Sequence, residues 1–133
     1  MKWREMVIAQ GGDPAFIDDP SRLPQPGAIR EIRAEKAGFV NYVDAREIGK
    51  IVLRLGGGRQ TVTDQIDHAA GVDRLVQQGE WVEKGEPLMR LLAKDDAMID
   101  SFVAAAHQAI TLGPEKVADR LLILPPFLKK EKE

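Results

Sequence analysis

Two histidines are the first residues to consider for chemistry, because imidazole titrates near neutrality and the chain has no cysteine to compete for metal or nucleophilic roles. His68 stands in Ile66-Asp67-His68-Ala69-Ala70-Gly71, with Asp64 a few residues earlier, a grouping that reads either as a metal pair or as an acid-base dyad. A metal site needs three or four converging ligands, and the other imidazole, His107, falls beside the apolar stripe of a predicted helix. His68 therefore reads as a residue that caps or hydrogen-bonds the loop entering the next strand, and His107 as half-buried packing. Gly56-Gly57-Gly58-Arg59 invites a phosphate reading, but phosphate cradles lie at helix N-termini and this loop trails a C-terminus, so it reads as a helix cap and turn. The acid pairs Asp18-Asp19 and Asp95-Asp96 fall in a linker and at a helix start, where carboxylates serve turns and the helix dipole. Neither Gly-x-x-x-x-Gly-Lys-Ser/Thr, Gly-x-Ser-x-Gly nor His-Glu-x-x-His occurs. The expectation is a chain with no catalytic, cofactor-binding or metal-ligating residue of its own and no cofactor.

The elements that would position such groups read as follows. Trp3, Met6, Val7 and Gln10 recur at helical spacing over 2–10, and Gly11-Gly12 ends the pattern. Four prolines between Asp13 and Gly27 make a linker with one helical turn. Ile29 and Ile32, then Phe39 to Val43, read as two strands around a turn at 36–38. Asp44 caps a helix whose inner face is Ile48, Ile51, Val52 and Leu55, and Gly56 stops it. A polar loop over 61–70 leads to a strand over 72–76. A second helix, capped by Asp95 or Asp96, carries Ile99, Phe102, Val103, Ala106 and Ile110 and breaks at Gly113-Pro114. A closing strand is expected over 117–124, with a frayed tail from Pro125. Strands alternating with two helices give an α+β fold, a small sheet with two helices on it, divided as 1–26 (helix and Pro-rich linker), 27–125 (compact domain) and 126–133 (charged tail).

With 133 residues, 44% hydrophobic and 30% charged, the chain suits one globular domain with a real core. Nineteen Lys and Arg against 21 Asp and Glu give a net charge of −2, with bases interleaved among acids, so neither nucleic acid nor an anionic membrane is an expected partner. No apolar run approaches the roughly 20 residues of a membrane span, and Met1-Lys2-Trp3-Arg4-Glu5 lacks the apolar core of a signal peptide, which makes the cytoplasm the expected compartment.

The stretch Gly79 to Ala93 has the composition of a tight β-hairpin. Gly79 and Gly85 can take positive φ, Val82 anchors the turn between them, and Pro87 opens an apolar strand through Leu88, Met89, Leu91 and Leu92. It resembles the hairpin unit of biotinyl and lipoyl carriers. That likeness places Asp96, or Asp95 if the register shifts by one, where the carriers have their modified lysine. A carboxylate cannot form the amide, although Lys94 lies close by, and a stand-alone carrier or binding module is the alternative reading.

Met6-Val-Ile-Ala-Gln-Gly-Gly-Asp13-Pro14, Asp19-Pro20, Leu23-Pro24, Gly38-Phe-Val through Asp44-Ala-Arg-Glu-Ile-Gly49, Arg54-Leu-Gly-Gly-Gly-Arg59, Asp67-His-Ala-Ala-Gly71 and Gly79 to Ala93 together resemble, in order and spacing, the C-terminal domain of pyrimidine-nucleoside phosphorylases, including thymidine phosphorylase. After Arg59 this chain departs, with Gln-Thr-Val-Thr-Asp where a basic Lys-Gly-Asp-like piece is more common. The resemblance implies an α/β-hammerhead type of domain related to barrel-sandwich carriers. It also implies that the residues binding phosphate and pyrimidine nucleoside lie in a preceding catalytic portion, the partner of this chain, within an enzyme that is a homodimer.

Overall fold

A computed structural model of the protein describes residues 2–118. It is an α+β arrangement of two small antiparallel sheets with helices against them. The N-terminal helix α1 (Lys2–Ala9) ends in a left-handed Gly11. Gly12 and Gly11 donate back to the carbonyls of Val7 and Ile8, which satisfies the last turn. The linker holds two short turns rather than one, α2 (Ala15–Asp18) and a 3₁₀ turn Pro20–Arg22, whose start is capped by Asp19. None of these three elements contains a buried residue.

Burial begins at Ala28. Strand β1 (Ala28–Arg33) turns into β2 (Gly38–Val43), followed by α3 (Ala45–Val52), a π-helical turn Leu53–Gly57, β3 (Gly71–Asp73), β4 (Trp81–Val82), β5 (Pro87–Ala93), α4 (Asp96–Asp100), α5 (Val103–Gln108) and β6 (Ile110–Gly113). One sheet has the order β1-β5-β3 and the other β4-β2-β6. The core between them and the helices is closed by Ile32, Val40, Leu55, Met89, Leu91 and Ile99, all fully buried. Asp44 accepts the Arg46 and Glu47 backbone N–H groups at 3.0 Å and so starts α3 as the sequence predicts, while Gly56 ends it at φ +103°.

Several sequence-based expectations are corrected. Gly79 to Ala93 is not a hairpin: β4 pairs with Gly38 and Phe39 of β2, whereas β5 pairs with β1 and β3 in the other sheet. The turn between them is tied to the end of β1 instead, Gly85 donating to Ala34 and Ala34 to Glu86, both at 2.8 Å. Gly79 and Gly85 do take positive φ, and Val82 is buried, so the turn residues act as predicted while the pairing differs. Ile29 and Ile32 have opposite parity on β1; Ile32 enters the core and Ile29 remains 51% exposed. The strand expected at 72–76 ends at Asp73, because Arg74 turns the chain at φ +49°.

The second helix is two helices. A turn at Ser101-Phe102 separates α4 from α5, with Phe102 at φ −119°, and Ile110 starts β6 by pairing with Val43. Its β-branched side chain and that of Thr111 suit a strand better than a last helical turn. Gly113-Pro114 thus ends a strand rather than a helix. Of the strand expected at 117–124, Val117 and Ala118 have no regular structure; residues 119–124 and the tail from Pro125 lie outside the described residues.

Candidate functional site

The loop carrying His68 hangs from the end of α3. Its backbone is set by two aspartates: Asp64 accepts the Gln60 and Thr61 N–H groups, each at 2.9 Å, and the Thr61 hydroxyl, while Asp67 accepts the Ala69 N–H at 2.9 Å. The Thr61 hydroxyl, followed by the two backbone donors, holds the Asp64 carboxyl below its ordinary range. Both carboxylates are therefore engaged in turns, and no hydrogen bond or ion pair joins either to His68, whose side chain is exposed. The loop is held by Asp64 and Asp67, not by the imidazole to which the sequence assigned that part. Among the described residues no group of three or more His, Asp or Glu could hold a metal ion.

The glycine run behind α3 has a packing reason. A side chain on Gly57 would meet the Ala70 carbonyl at 2.9 Å, and one on Gly58 would meet Leu53 at 2.8 Å, so the loop returns against its own helix. At the end of β5, Asp95 caps α4 by accepting the Met98 N–H at 2.8 Å, which resolves the choice between Asp95 and Asp96. Asp96 instead accepts from Arg30 at 2.7 Å, and the same guanidinium also bonds Asp100. The position aligned with a carrier lysine is thus one arm of a clamp from α4 to β1, with Lys94 exposed beside it. On the other side of that sheet's edge, Arg90 bonds Asp73 at 2.7 Å and lowers its carboxyl below the ordinary range.

A cleft of about 500 Å³ opens where the β1–β2 turn, β5, α5 and β6 meet, lined by Leu88, Ile110 and Leu112 together with Glu35, Lys36 and His107. His107 is partly buried, as its helical position predicts. The sequence reading missed this cleft and the Arg30 clamp, since both join residues far apart in the chain.

The family profile described as the pyrimidine nucleoside phosphorylase C-terminal domain matches residues 39–113, which run from β2 to the end of β6. The chain belongs to that family. It is 38% identical over 121 residues to a pyrimidine-nucleoside phosphorylase of Bacillus subtilis, covering 91% of this chain and 28% of that protein. It is also 38% identical to the thymidine phosphorylases of Colwellia psychrerythraea over 128 residues and of Burkholderia orbicola over 131, covering 96% and 98% of this chain. In each case the chain spans about 28% of the length of the curated relative it matches. Helix α3, the glycine turn, the His68 loop and strands β4 and β5 all lie within the family match. Among the described residues no helix is long and apolar enough to cross a membrane.

Proposed function

We propose that this chain is the C-terminal structural domain of a cytoplasmic pyrimidine-nucleoside phosphorylase, an enzyme that joins phosphate to the pentose of a pyrimidine nucleoside and releases the free base and pentose 1-phosphate. The catalytic, phosphate-binding and nucleoside-binding groups belong to the preceding portion of the polypeptide, within a homodimer, and this chain supplies packing that influences closure over the substrates. The observation that carries this reading is the family match over two sheets whose polar side chains are engaged in capping and clamping: Asp44, Asp64, Asp67, Asp73 and Asp95 all serve turns, helix starts or arginines. The exposed Trp3 and Met6, neighbours three residues apart on α1, support it further, since exposed apolar side chains on a helix with no buried residue are suited to continue against the preceding portion. On this reading the compact unit starts near Pro26, and its two sheets are a hammerhead relative of the barrel-sandwich carriers.

The test is a replacement. Exchanging the matching segment of the Bacillus subtilis enzyme for this chain is expected to preserve phosphorolysis of uridine or thymidine; a folded replacement protein without turnover would contradict the reading. The competing carrier reading rests on the exposed Lys94 beside the tip. Co-expression with lipoyl and biotinyl ligases is expected to leave the mass of the chain unchanged, and a lipoate or biotin adduct on Lys94 would favour the carrier.

A further inference from the structure

Charge pairing on this molecule is uneven. Of the nine arginines among the described residues, Arg4, Arg22, Arg30, Arg33 and Arg90 each pair with a carboxylate. Arg46, Arg54, Arg59 and Arg74 have no such ion pair among the described residues, and two of these four belong to α3 and the turn that follows it, with Arg59 two residues beyond. Arg46, Lys50 and Arg54 recur every four residues and therefore share one helix face, with exposed Arg59 just beyond its end. Lys50 alone in the row has an acid, Glu47.

The helix dipole accounts for Arg54, near the C-terminal carbonyls, but it opposes Arg46, a cation in the first turn whose two neighbouring carboxylates are engaged elsewhere, Asp44 in the α3 cap and Glu47 with Lys50. A row of guanidinium groups without ion-pair partners, on a chain of net charge −2, is suited to an external acidic surface, because each presents a planar fork that donates two hydrogen bonds to a carboxylate. Nucleic acid is disfavoured, since no aromatic side chain alternates with the row to stack a base. The relatives offer about 72% of their length outside the matched region, ample surface for such a partner.

We propose that Arg46, Arg54 and Arg59 form an interaction surface for a carboxylate-rich protein face on the preceding portion of the same polypeptide, an inference that rests on the C-terminal-domain reading. The experiment titrates the full 133-residue chain, ¹⁵N-labelled, with a short poly-glutamate peptide and with oligo-dT of equal charge. The expected result is peptide-induced shifts concentrated at residues 46–59, suppressed at about 0.2 M salt, where the screening length is under about 10 Å. Arg54→Ala with Arg59→Ala is expected to weaken peptide binding about tenfold, and Lys84→Ala with Lys94→Ala by less than about twofold. Absence of binding, shifts spread evenly over the surface, equal losses in both double variants, or tighter binding of oligo-dT would each overturn the proposal. Those outcomes leave the replacement experiment above untouched, so failure here is distinguishable from failure of the domain reading.

Discussion

Residues 2–23 and residues 28–113 obey different rules although one peptide joins them. The first region makes regular helix from local signals, a glycine cap and the Arg4–Asp18 pair, yet buries nothing and leaves Trp3, Met6 and Ile8 more than half exposed. The second is held by non-local strand pairing around Val40, Met89 and Leu91, each at 0% exposure. The contrast teaches that secondary structure and burial are separable: a helix can be capped at its C-terminal end while its large apolar side chains stay exposed.

The largest effect that sharpens this contrast is in the core. Leu91→Ala is expected to lower the unfolding free energy by about 2–5 kcal/mol, whereas Trp3→Ala changes it by less than about 0.5 kcal/mol in the same chain. Denaturant titration measures both, and a comparable loss at Trp3 would break the distinction between the regions. Next comes the joint itself. A side chain at Gly27 would stand 2.0 Å from the Lys94 backbone carbonyl, so Gly27→Ala is expected to cost about 1–3 kcal/mol by forcing backbone shifts. Thermal unfolding indistinguishable from the parent chain would show that the joint yields freely. Asp44→Ala, which removes the α3 cap, is expected to cost about 1 kcal/mol. Gly49 has open space around its missing Cβ and lies mid-helix, so Gly49→Ala is expected to stabilise by about 0.5–1 kcal/mol, and a loss there would contradict the described α3.

The smallest effect is in acid. Asp73 beside Arg90, and Asp64 beside Thr61, have folded pKa values below their unfolded values. Their stabilisation is present above the ordinary carboxylate pKa of about 3.9 and is lost as pH falls from there through the lowered folded values. Unfolding curves between about pH 5 and pH 2 are expected to show a shallower acid loss in Asp73→Asn than in the parent chain. Equal slopes would mean the Arg90 pair adds nothing to folding.

Local signals in the sequence were sufficient for some elements. Asp44 with Ile48, Ile51 and Leu55 specifies α3, and the positive-φ turns at Gly79 and Gly85 follow from composition, because cap, stripe and turn all act within a few residues. Strand pairing is set elsewhere. The two-residue β4 finds its partners at Gly38 and Phe39, and the edge-to-face contact of Phe39 and Trp81 at 4.9 Å fixes that register from a distance local spacing cannot express. Ile110 reads as helix by period and becomes strand because Val43 is available to pair with it. The same holds for the candidate site: the ordered motifs carried the family likeness, while the Arg30 clamp, whose partners lie 66 and 70 residues away, has no local signature.

On the proposed reading these two sheets form a scaffold and the reacting groups lie in another part of the polypeptide. Incubating the purified 133-residue chain with uridine or thymidine and inorganic phosphate tests it most directly. No free base above the uncatalysed background is the predicted result. Sustained release of uracil or thymine that co-purifies with the chain and disappears in His68→Ala would contradict it.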